Sequence, residues 1–260
     1  VFPFDESFLD AAPLDRARLH MSLYIEEDMP STRLPPGSLG QAFRPGNAAM
    51  LAGIRMINGY SPIHPRGIGT MLPFETHGQM FPEAVRWVFA EGAGPGGVLA
   101  TIGVDALVIS KSAARLGRLA DAEWEKVWSG DEANVYHRRG VTSRSAAIIA
   151  RDAPANRRPT QQPLLADTRH RAAIRLPATA AERLVIFPRP WYVGWQATLD
   201  GRPLRTTAYK NAAIAAIVPS DAAGRLEIAY RPLGVTLGLP IALAAALTTV
   251  FVAARDRASR

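Results

Sequence analysis

The chain has 260 residues, a formal net charge of +7, 30 Lys and Arg against 23 Asp and Glu, and no cysteine. The missing cysteines exclude disulfide scaffolds, thiolate zinc sites and cysteine nucleophiles. The basic excess is scattered among apolar residues and forms no stripe on a recognisable helix, so it reads as ordinary solvated surface, and no nucleic-acid partner is expected.

The chain opens on Val1, without a charged and apolar leader segment, which reads as a fragment whose upstream portion has been removed; the alternative is a mature N-terminus left by signal cleavage. Leu19 to Ile25 is a short helix or strand, followed by a Pro-, Ser- and Gly-rich loop, MPSTRLPPGSLG. In residues 47–60, NAAMLAGIRMINGY, helical spacing of Met50, Leu51, Ile54 and Ile57 predicts a helix stopped by Asn58-Gly59. A second short helix is predicted from Pro82 to Glu91, with Pro at its start and Glu83 in its first turn.

Val104 to Ser110, VDALVIS, has the near-continuous apolarity of a buried strand. Asp121 to Trp128 carries the pattern of a small capped helix with Asp121, Glu123 and Glu125 on its solvated face. Asn134 to Arg138 and Ala146 to Ile149 are candidate strands expected to pair with VDALVIS. Residues 151–168 form a polar, Pro-rich connection, the expected internal boundary.

Beyond it the pattern is all-β. Short strands are predicted at Arg171 to Leu176, Arg183 to Phe187, Gly194 to Leu199, Leu204 to Thr207, Ala213 to Val218 and Arg225 to Tyr230. Asp200-Gly201 is a hairpin signal, because glycine accepts the positive φ of a tight turn. The last segment, VTLGLPIALAAALTTVFVAA over residues 235–254, holds twenty residues without a charge. As a helix it covers about 30 Å, the thickness of a hydrocarbon core, and the alternative is a buried core helix of a soluble protein. Arg255, Arg257 and Arg260 follow it against a single Asp256, a flank that stays in the cytoplasm.

The fold class expected is therefore α+β. A mixed α/β extracytoplasmic region (1–150) is followed by the Pro-rich connection (151–168) and a small antiparallel β-sandwich (169–232). One transmembrane helix (235–254) and a cytoplasmic tail (255–260) complete it. The implied location is the cell membrane, with residues 1–234 outside and the lipid bilayer as a partner.

Candidate chemistry is sparse. Trp191, Tyr192 and Trp195 form an aromatic cluster near Asp200. Flat rings beside a carboxylate suit a sugar, since rings stack on the apolar faces of pyranoses. The same tryptophans suit a sandwich core or the membrane interface, and strand alternation sends Trp195 and Ala197 to one face. Asn58, Gly59 and Tyr60 make a candidate functional loop, although Asn-Gly is also a good helix stop. His64 and His77, with Glu75 between them, lack a third ligand and a scaffold, so no metal is expected. GAGPGG at 92–97 lacks the Lys-Ser/Thr of a phosphate loop, no other cofactor motif is visible, and no catalytic residue is assigned.

Several of these stretches together resemble a family. WYVGWQATLDGRPL at 191–204 is similar to the YPGW-x-A-x-VDG signature of YfhO-like bacterial membrane proteins, multi-spanning relatives of the GT-C glycosyltransferases. AAIAAIVPSDAAGRLEIAYRP at 212–232 resembles that family's V-x-F-x-Y-x-P ending before a last span. NAAMLAGIRMINGYSPIHPR at 47–66 and IGVDALVIS at 102–110 resemble two further segments, in the same order. SRSAAI at 143–148 departs from the family's usual Pro-Arg-Ala turn. The resemblance implies a role in lipid-linked sugar transfer or cell-envelope glycosylation, with a glycan or polyprenyl-phosphate sugar as partner. It places the catalytic acid outside this fragment, which would support the site or bind acceptor. The alternative is a non-catalytic carbohydrate-binding or envelope-assembly module anchored by one helix.

Overall fold

In a computed structural model of the chain, the residues described are 14–25, 53–58, 66–75, 78–141, 144–154, 158–168, 170–232, 234, 238 and 240–249. The first region is built on a mixed five-stranded sheet. Its strands are β1 (Leu19–Leu23), β2 (Arg55–Met56), β3 (Ala106–Ser110), β4 (Trp124–Ser129) and β5 (Ala133–Arg138), in the order β2-β1-β3-β5-β4. β1 lies parallel to both β2 and β3, whereas β5 runs antiparallel to β3 and β4. Every residue of β3 is buried, which is why its sequence reads as an unbroken apolar run rather than an alternation.

Among the described residues between β2 and β3 are the short helices α1 (Arg66–Met71), α2 (Pro82–Trp87) and α3 (Val98–Thr101). Pro82 starts α2 at the position where a missing N–H is harmless, and the helix runs on as a π turn over Val88–Gly92. Val85, Val88 and Leu99 pack with Met21, Leu23, Leu107 and Ile109 from one face of the sheet.

The second region is a sandwich of two antiparallel sheets. Its strands are β6 (Ser145–Ala150), β7 (Thr160–Pro163), β8 (Ala166–Thr168), β9 (Arg171–Leu176), β10 (Arg183–Pro190), β11 (Trp195–Leu199), β12 (Arg202–Leu204), β13 (Thr206–Tyr209), β14 (Ala213–Val218) and β15 (Gly224–Tyr230). One sheet has the order β13-β14-β10-β6-β7 and the other β12-β11-β15-β9-β8. Val185, Phe187, Ile214 and Val218 of the first sheet meet Ile174, Trp195, Leu226 and Ile228 of the second. The strand residues that alternate with these, Ile186, Ala213 and Ala215, pack into the helical core of the first region. The β13-β14-β10-β6-β7 sheet is thus covered on both faces. Cross-strand partners such as Ile186 and Ala215 set one large side chain against one small one, which lets the helical layer approach.

Several readings of the sequence are corrected. Of the helix expected over 47–60, the described part is a turn at Gly53 and strand β2, because pairing with β1 outweighs the local helical spacing. The segment expected as a capped helix from Asp121 to Trp128 is a turn followed by β4, paired with β5; Trp124 is buried in the core by that pairing. Ala146 to Ile149 does form a strand, but it pairs with β10 and β7 rather than with VDALVIS, both of whose edges are taken by β1 and β5. Within the stretch expected as a connection, Thr160–Pro163 and Ala166–Thr168 are strands β7 and β8.

The α+β class with an antiparallel sandwich holds, and β9 and β14 have the expected bounds. Asp200 and Gly201 form the tight β11–β12 hairpin with φ of 47° and 81°, the positive pair that such a turn demands. Residues 240–249 are helical. Thr248 and Thr249 donate back to the carbonyls of Ala244 and Ala245 at 2.8 and 2.9 Å. Among the described residues no helix is long and apolar enough to cross a membrane. The expected span 235–254 lies partly outside them.

Candidate functional site

The aromatic cluster sits where β10 turns into β11. Pro188 and Pro190 end β10 stiffly, and Trp191 anchors the turn by donating its N–H to the carbonyl of Ala212 at 2.8 Å. Trp195 opens β11 facing inward. It is 7% exposed, donates its indole N–H to the carbonyl of Pro190 at 3.1 Å, and meets its cross-strand partner Tyr230 with ring centroids 5.1 Å apart. Trp191 is half-buried against the same core. Tyr192 and Val193 are different: they are 43% and 76% exposed at the tip of the turn. The Tyr192 ring stays within 6.4 Å of Tyr230, and its hydroxyl pKa is raised, first by burial of the group and then by its neighbour Tyr230.

This tip is tied to the end of the sandwich. Arg231 donates its N–H to the carbonyl of Gly194 at 2.8 Å. Gly194 has φ of 113°, and a Cβ there would come within 3.0 Å of the Pro232 backbone, so only glycine allows the approach. Pro232 ends this corner, and further along the chain residues 240–249 are helical. On that helix Ile241, Leu243 and Leu247 are 60–68% exposed. Exposed apolar side chains therefore occur both at the turn and on the adjoining helix.

The other expected residues are not gathered here. Asp200 stands at the opposite end of β11 from Trp195, about 17 Å along the strand at 3.3–3.4 Å per residue. Its carboxylate accepts the N–H of Arg225 at 2.9 Å. Asn58 is buried and its amide is spent on backbone: it accepts from the N–H of Ser22 at 2.9 Å and donates to the carbonyls of Ser22 and Gly78 at 2.8 and 3.0 Å. It stitches β1 to the loop before α2. Tyr60, Gly59, His64 and His77 lie outside the described residues. Glu75 accepts from the amide of Gln79 at 2.6 Å, and no three His, Asp or Glu gather in metal-holding geometry among the described residues.

The surface reading of the charges needs correction. Glu123, expected on a solvated face, is buried and pairs with Arg138 at 3.6 Å and Arg158 at 3.5 Å. Arg138 is itself buried, 4.4 Å above the Trp124 ring, and burial holds its pKa down to about 10. A second group centres on Asp167 of β8. Arg144 and Arg189 bond its carboxylate, and Arg55 reaches it at 2.6 Å. The sequence holds no local sign of this group, because its members are far apart and come together only when β2, β6, β8 and β10 assemble.

No protein-family model matches the chain, and no curated protein matches it. Solved structures of the arabinofuranosyltransferase AftD from Mycobacteria are weakly similar. One has 17% identity and a TM-score of 0.27, covering 38% of this chain and 7% of that one. A mutant form of AftD has 19% identity and a TM-score of 0.28 over the same shares. The chain thus spans only 7% of the length of the AftD structures it is similar to.

Proposed function

We propose that the chain is the C-terminal, extracytoplasmic part of a YfhO-like integral membrane protein acting in lipid-linked sugar transfer or cell-envelope glycosylation. Residues 1–234 lie outside the membrane, 235–254 cross it, and the arginine-rich end stays in the cytoplasm. The observation that carries this reading is the corner where β15 ends. There the turn with exposed Tyr192 and Val193 is hydrogen-bonded to the end of the sandwich, and the helical residues 240–249 that follow in the chain are exposed throughout, Ile241, Leu243 and Leu247 among them. Water penalises that surface, whereas a bilayer accepts it, with tyrosine and tryptophan favoured at the headgroup level. The sequence resemblance at 191–204 and 212–232 supplies the glycosylation context. The catalytic acid belongs to a part of the protein beyond this fragment, which supports the site or binds the acceptor.

The exposed ring of Tyr192 favours a second reading. In it the domain is a non-catalytic carbohydrate-binding module held by one helix, and Tyr192 is the stacking face, since Trp195 is committed to the core. The coding sequence upstream of Val1 separates the two. Many hydrophobic spans with an Asp or Glu in the first outward loop are expected for the transferase. A lone signal peptide would overturn it in favour of the anchored module.

A further inference from the structure

Three guanidinium groups converge on Asp167 where the two regions meet. Arg144 and Arg189 bond its two carboxylate oxygens, and Arg55 adds a contact at 2.6 Å. One carboxylate thus faces three cations, a surplus of two positive charges. The group is largely enclosed: the side chains of Arg144, Arg189 and Asp167 are 9%, 12% and 18% exposed, with Arg55 at the rim. The Nε of Arg144 is buried without a hydrogen-bond partner among the described residues. Uncompensated charge and an unmet donor are both costly in an interior, and an oxyanion would relieve both.

Beside this group lies a cavity of about 170 Å³, walled by Leu19, Met56, Phe74, Ile102 and Pro190 together with Arg189. Arg189 belongs to both features, and Met56 directly follows Arg55. A cavity of roughly 150 Å³ with apolar walls accepts a benzene-sized group. We propose that the arginine group and the cavity form one binding site for a phosphate monoester with a small apolar substituent. The phosphate sits against Arg55, Arg144 and Arg189, and the substituent enters the cavity. A monoester carries a charge of about −1.5 to −2 at neutral pH, which matches the surplus, and the planar guanidinium fork suits phosphate oxygens. The inference is independent of the membrane reading, since it needs neither a span nor a sugar.

Titration calorimetry on the full chain in detergent tests it with three probes: phenyl phosphate, inorganic phosphate and phenol. Phenyl phosphate is expected to bind saturably and at least about tenfold tighter than either other probe, a gap worth about 1.4 kcal/mol. Arg55→Gln, at the exposed rim, should weaken phenyl phosphate about tenfold with little change in Tm. Asp167→Asn should tighten it, because the variant removes the carboxylate that competes for the same donors. A purely structural clasp gives the opposite pattern, with Asp167→Asn lowering Tm and gaining no affinity. Inorganic phosphate or phenol binding as well as phenyl phosphate would overturn the proposal, as would an unchanged affinity in Arg55→Gln. If Asp167→Asn fails to fold, the probe comparison and Arg55→Gln still decide.

Discussion

His20 is fully buried on β1, in register through Ala106 with His137 on β5, and neither of its ring nitrogens has a hydrogen-bond partner among the described residues. Burial first, and the neighbouring His137 second, holds its pKa down to about 4 from 6.5. The folded chain therefore excludes a proton that the unfolded chain binds. This contribution is complete above pH 6.5 and is lost as pH falls toward 4, about 3 kcal/mol over the whole range. Asp105 acts in the opposite sense: burial raises its pKa to about 6, so its contribution is present below about pH 4 and lost as pH rises through 6. Comparing wild type with His20→Leu cancels the Asp105 part. The Tm of the variant should fall less between pH 6.5 and pH 4, and parallel curves would refute the assignment. Trp195→Ala should cost about 3–5 kcal/mol in denaturant unfolding, because the ring fills the space between the two sheets of the sandwich. A loss below about 1 kcal/mol would mean that the ring is outside the core. The inward direction of Trp195 was legible from strand alternation. The burial of Glu123 and Arg138 and the partial burial of Arg144 were not, since each depends on a partner distant in the chain.

Among the elements, those whose own residues dictate them were legible. β9 and β14 have the bounds predicted from their apolar runs, and the β11–β12 hairpin follows from Asp200-Gly201. Gly201→Ala should lower stability by about 1 kcal/mol, since φ of 81° strains any Cβ, and the denaturant slope should stay unchanged. A neutral substitution would mean that the turn relaxes to another type. Elements decided by long-range pairing were misread. β2 and β4 carry helical spacing in sequence, yet each is an edge strand held by the neighbour it joins. β6 was legible as a strand but not as a member of the sandwich, because an Ala-Ile run gives no sign of which sheet it enters.

At the scale of the molecule, the layers run from the mixed sheet through the short helices to the doubly covered sheet and on to the outer sheet of the sandwich. The candidate aromatic corner lies at the point where this stack hands the chain to its apolar C-terminal helix. Membrane attachment therefore requires that this helix and the turn at Tyr192 engage a bilayer. Flotation of the full chain with phosphatidylglycerol-containing vesicles, beside a chain ending at residue 233, tests this most directly. The full chain should rise with the vesicles and stay there through a high-salt wash, while the shortened chain remains at the bottom of the gradient. A full chain that stays at the bottom with the shortened one would contradict the membrane reading.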